Sequence, residues 1–166
     1  MTDIICILVL GYLSAVFQSG AGFFLQVGYV RPDAIPALIC WFSLRQELPQ
    51  GIAGILLLSF IVSAFSIIPF YVFPLSYLIG YLTVRYIVSN VLEITNWQVY
   101  LLVGFVSIEI IVIQLAGSGN AELVWPWGLI QALLNMATAP LFVFFFDGFF
   151  KILKKISRQQ GKISDG

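Results

Sequence analysis

Glu109 stands alone as an acid in the middle of a long apolar run, Trp97 to Ala116. A carboxyl group at such a place is paired, neutralised or turned toward a polar cavity, because bare charge in hydrocarbon is costly. Gln131 and Asn135 lie one helical turn apart in another apolar run and present their amides on the same side. Glu109, Gln131 and Asn135 therefore form a candidate intramembrane polar cluster. Two chemistries suit it: a proton or small-molecule path, or hydrogen bonds that hold two helices together. Other reactive combinations are missing from the sequence. It has no histidine, Cys6 and Cys40 are far apart, and the acids are scattered, so no metal-ligand set is expected. No nucleophile motif or phosphate-binding glycine loop occurs either, and neither catalysis nor a cofactor is expected.

The elements that must position these groups are apolar helices. The chain is 60% hydrophobic and only 10% charged, too poor in ions to give 166 residues a wetted exterior. Six apolar segments follow one another at about 4–27, 30–45, 51–68, 74–89, 97–116 and 128–150. They predict an all-α integral membrane protein, a six-helix transmembrane bundle over residues 1–150 with a basic tail at 151–166. Small and polar residues recur along single helix faces: Gly11, Ser14, Gln18 and Gly22 in the first segment, Gly51 and Gly54 in the third, Ser76 and Gly80 in the fourth. Such faces allow close helix approach. The second segment is the exception. Ala34 to Leu44 rises only about 16 Å against roughly 30 Å of hydrocarbon, so a thinned crossing and a re-entrant helix both stay open.

Five of the eight Lys and Arg residues crowd the last sixteen positions: Lys151, Lys154, Lys155, Arg158 and Lys162. With six crossings, Arg45, Arg85 and these five share one side and only Arg31 falls opposite. The positive-inside rule then places both termini in the cytoplasm. The tail sets its bases opposite Ile152, Leu153 and Ile156, an amphipathic pattern attracted to anionic lipid. A short basic patch abutting a span gives no reason to expect nucleic acid. Asp147 precedes Lys151 by one turn, the spacing of an ion pair at the membrane boundary.

Three stretches carry a family likeness. Arg31-Pro32-Asp33 leads into a short apolar helix, Gly51 to Gly80-Tyr81 flanks a proline-bearing turn, and Gln131 with Ala139-Pro140 precedes a basic end. In this order the chain resembles the bacterial rod shape-determining MreD family. It departs from many members in having no acid in the third helix, where Ser59 to Ser66 stands instead. The resemblance implies a bacterial inner-membrane component of the cell-elongation machinery. Its partner would be an MreC-type membrane protein and, indirectly, the actin-like filament protein and peptidoglycan synthases. It also implies a fold similar to the substrate-binding components of vitamin transporters, which supplies a rival expectation: a small-molecule carrier with a polar cavity around Glu109.

Overall fold

The computed structural model describes residues 2–19, 30–66, 69–90, 96–119 and 126–164. Among these residues the chain forms six α-helices: α1 (Thr2–Ser19), α2 (Ala34–Ser43), α3 (Leu48–Ser63), α4 (Val72–Asn90), α5 (Asn96–Gly117) and α6 (Trp127–Ser164). Three of them contain stretches long and apolar enough to cross a membrane: Val72–Asn90, Trp97–Gly117 and Trp127–Leu153. The chain is thus an all-helical, membrane-associated protein. The apolar helices Ile4–Phe17, Ala34–Ser43 and Leu48–Ser63 are shorter. The remainder of the expected first segment, 20–27, lies outside the described residues.

Five helices make a ring, in the order α1, α3, α4, α5, α6 and back to α1, and α2 touches all five from its centre. Every residue of α2 from Ala34 to Ser43 is buried. At ten residues it rises about 15 Å, half the hydrocarbon thickness. Its position explains how so short a helix is tolerated: the backbone groups at its ends meet protein, not lipid. Trp41 and Phe42 fill the space between the outer helices, with Trp41 packed edge-on against Phe146 and Phe150 of α6.

Local signals fix where α2 begins and ends. Asp33 has extended backbone angles, and its carboxylate accepts the Ile35 N–H at 2.7 Å, an N-cap that satisfies one of the free donors of the first turn. Pro36 falls in that same turn, where a missing N–H costs no hydrogen bond. At the other end the Leu44 N–H bonds the Cys40 carbonyl, and those of Arg45 and Gln46 bond Phe42. Pro49 then sits in the first turn of α3.

The last helix differs most from the sequence reading. The helix does not stop at the expected end of the apolar segment at residue 150: α6 runs unbroken for 38 residues to Ser164, while its stretch long and apolar enough to cross a membrane is Trp127–Leu153. Its length is about 57 Å, so roughly 27 Å extends beyond what hydrocarbon needs. Pro140 lies inside α6 and leaves the Met136 carbonyl without its usual amide partner.

Candidate functional site

The polar groups of the bundle gather at both ends of the central helix. At its N-terminal end, Gln131 and Asn135 of α6 reach the connection that leads into α2. Gln131 Nε2 donates to the Arg31 carbonyl and, at 3.0 Å, to Asn135 Oδ1. The Asp33 N–H donates to the same Asn135 oxygen at 2.7 Å. Asn135 Nδ2 donates to Ser107 Oγ of α5 at 3.2 Å, and that hydroxyl donates in turn to the Val103 carbonyl at 2.7 Å. Two side-chain amides thus take the place of missing secondary structure for a non-helical backbone packed inside the bundle. Unpaired, those groups would be expensive. On the same end, Gln114 of α5 donates to Ser76 of α4 at 3.5 Å.

Glu109 is not part of this cluster. Its Oε1 accepts the Thr83 hydroxyl of α4 at 2.9 Å, while its Oε2 is buried without a hydrogen-bond partner among the described residues. The expected grouping of Glu109 with Gln131 and Asn135 therefore divides in two. The amides serve the α2 entry, and the acid ties α4 to α5. The reason is rotational: Glu109 lies on the α4-facing flank of α5, whereas Ser107 faces inward toward Asn135.

A second set of contacts holds the opposite end of α2. Asp147 Oδ1 accepts from Trp41 Nε1 at 2.7 Å and from Arg45 Nη2 at 2.5 Å, and the Arg45 guanidinium lies 4.5 Å from the centre of the Trp41 ring. Arg85 of α4 donates to the Ser43 carbonyl at 3.0 Å, occupying a free acceptor at the end of α2. Asp147 thus pairs with Arg45 across the bundle, in place of the expected partner Lys151, whose side chain is exposed. The Trp41–Arg45 spacing of four residues signals this stacking in the sequence, but nothing there points to a partner 106 residues away.

The small-residue faces are used inside the bundle. A side chain at Gly11 would strike Leu58, and one at Gly51 would strike the Tyr81 hydroxyl. At Gly54 a Cβ would lie 2.7 Å from the Phe42 ring, and at Gly80 it would lie 3.1 Å from Val106. Ser14 and Ser76 are buried, and Ser76 Oγ donates to the Phe73 carbonyl at 3.1 Å. The four glycines and Ser76 face neighbouring helices of the same chain, and Ser14 also lines the groove between α1 and α6. Gly22 and the side chains of Gln18, Lys154 and Arg158 lie outside the described residues. Pro32 is buried beside half-buried Arg31 and Asp33, and Pro140 is exposed.

The bundle leaves an apolar groove of about 350 Å³ at the seam between α1 and α6, walled by Leu13, Phe17, Leu141 and Phe145, with Ala34 at the start of α2 also lining it. It does not coincide with Glu109 or with the Gln131–Asn135 cluster. Among the described residues no group of histidine, cysteine, aspartate and glutamate is arranged to hold a metal ion. Comparison with protein-family models, with curated proteins and with solved structures finds no match.

Proposed function

We propose that this chain is a six-pass, non-catalytic scaffold of the bacterial inner membrane with both termini in the cytoplasm. The observation that carries this reading is what the interior polar groups do. Gln131, Asn135 and Asp147 bond the protein's own central helix and its connections, Ser107 bonds Asn135, and the groove between α1 and α6 is apolar. A carrier needs convergent polar groups that face a ligand; here Gln131, Asn135 and Asp147 face the chain's own backbone and side chains. The outward helix surfaces and the protruding end of α6 are then the parts left to act on other molecules.

The two ends of α2 support six crossings. Arg45, Arg85 and the start of the basic extension gather at the Asp147 end, whereas Arg31 lies at the Asn135 end. That separation follows the positive-inside rule. The short α1, α2 and α3 would complete their crossings through burial and local thinning of the bilayer. On the resemblance of its Arg31-Pro32-Asp33 entry and its Gln131-to-Pro140 span, the scaffold belongs to the rod complex. There it would assist the assembly of an MreC-type membrane protein with, indirectly, the actin-like filament and peptidoglycan synthases.

Mild extraction of the tagged chain from a rod-shaped bacterium should recover an MreC-type protein at near-equal amounts. Its repeated absence would count heavily against the rod-complex assignment. Gly11→Leu and Gly54→Leu are unsuitable as interface probes, because both positions are filled by Leu58 and Phe42 of the same chain.

A further inference from the structure

The outward side of α6 carries a straight ridge at alternating spacings of three and four residues: Leu141, Phe144, Gly148, Lys151 and Lys155. All five are exposed, and Phe144, at 80%, is the most exposed large apolar side chain among the described residues. Nothing lies within 4 Å of the position a Gly148 side chain would take, so the ridge is notched directly below Lys151. Leu141 lies ten residues before Lys151, a rise of about 15 Å, which matches the hydrocarbon depth of one leaflet. Lys155 is one turn further, about 6 Å, still within the headgroup layer.

We propose that this ridge is a binding site for one anionic phospholipid of the cytoplasmic leaflet. Lys151 and Lys155, one turn apart on the same line, hold the phosphate. An acyl chain descends through the Gly148 notch and lies against Phe144 and Leu141. Charge complementarity and the match in depth select this occupant: bases placed at headgroup height directly continue an apolar strip one leaflet long. The ridge shares Leu141 with the rim of the α1–α6 groove, whose other α6 walls, Phe142, Phe145 and Phe146, lie on the adjoining side of the helix. The inference rests on α6 crossing the bilayer with its basic end at the surface, and not on the rod-complex assignment. A lost lipid and a lost protein partner are therefore read independently.

The test uses the purified full-length chain in nanodiscs of mixed phosphatidylglycerol and phosphatidylcholine, with retained lipid measured by native mass spectrometry. The wild type should keep one phosphatidylglycerol molecule preferentially. K151Q/K155Q should lower that preference about tenfold or more, since each base near the surface contributes to anion binding. K154Q, off the ridge, should change it less than twofold. G148L should displace the retained lipid with both lysines intact, while circular dichroism reports an unchanged helix content. Equal losses in K154Q and K151Q/K155Q would reduce the effect to general electrostatics and overturn the site. Unchanged retention in G148L would also overturn it. A benzophenone side chain placed at position 144 should crosslink lipid in these discs and in cell membranes; a single protein captured there in place of lipid would assign the ridge to a partner helix instead.

Discussion

Replacing Asn135 by leucine tests whether the amide cluster is what allows α2 to begin inside the bundle. The side chains are similar in size, so packing is nearly retained and the change is chiefly in hydrogen bonding. Asn135 Oδ1 accepts from the Asp33 N–H at 2.7 Å and from Gln131 at 3.0 Å, and its Nδ2 donates to Ser107. After substitution Gln131 still has the Arg31 carbonyl and Ser107 still has the Val103 carbonyl. The group that loses this acceptor is the Asp33 N–H. An unsatisfied buried donor costs about 1–3 kcal/mol, and because Asp33 is half-buried the lower part, about 1–2 kcal/mol, applies. For a chain of this size each kcal/mol lowers the midpoint by about 2–4 °C, giving a drop of roughly 2–8 °C. Thermal unfolding in detergent, followed by circular dichroism, measures it. Ser107→Ala takes the acceptor from Asn135 Nδ2, itself a buried donor, and should cost a similar amount, about 1–3 kcal/mol. If Asn135→Leu left the midpoint unmoved, the account of the α2 entry would be wrong.

Three further outcomes are expected from the same assay and from labelling. Asp147→Ala should destabilise by about 1–2 kcal/mol, mostly by stranding Trp41 Nε1, since the ion pair itself is about one-third exposed and therefore screened; Lys151→Ala should stay within about 0.5 kcal/mol. Gly51→Ala should cost about 1–3 kcal/mol by driving a methyl group into the Tyr81 hydroxyl. Tyr81→Phe should recover only part of that loss, since the ring carbons Cζ and Cε2 also crowd the added methyl, and should be harmless alone, because the hydroxyl is buried with no hydrogen-bond partner among the described residues. Cys6 and Cys40 are fully buried thiols outside any disulfide, so a maleimide should label neither in the folded protein and both after unfolding; rapid labelling of Cys40 in the native state would contradict the central position of α2.

Six apolar segments, the small-residue faces and the isolated acid were legible because each is a property of a single helix: hydropathy, spacing and residue type act locally. The sequence also limited the second segment to a length too short for an ordinary crossing. It did not say what surrounds that segment, because Ala34 to Ser43 is equally apolar on all sides whether it faces lipid or protein. Asp33 could be read as a helix-starting residue from its place before Ala34-Ile35-Pro36, but its role beside Asn135 depends on a contact spanning 102 positions. Only the tertiary structure decided the partnerships. Glu109 meets Thr83 because of the rotation of α5 against α4, and Asp147 meets Arg45 because α2 and α6 lie side by side, which places the two at the same height. The basic tail continues α6 because no cap or helix breaker interrupts Phe149-Phe150-Lys151. Composition by itself determined that the chain seeks a membrane, since hydrophobic transfer depends on residue type. Which polar groups serve the fold and which surfaces remain for other molecules depended on helix rotation and neighbour order, properties that no single segment contains.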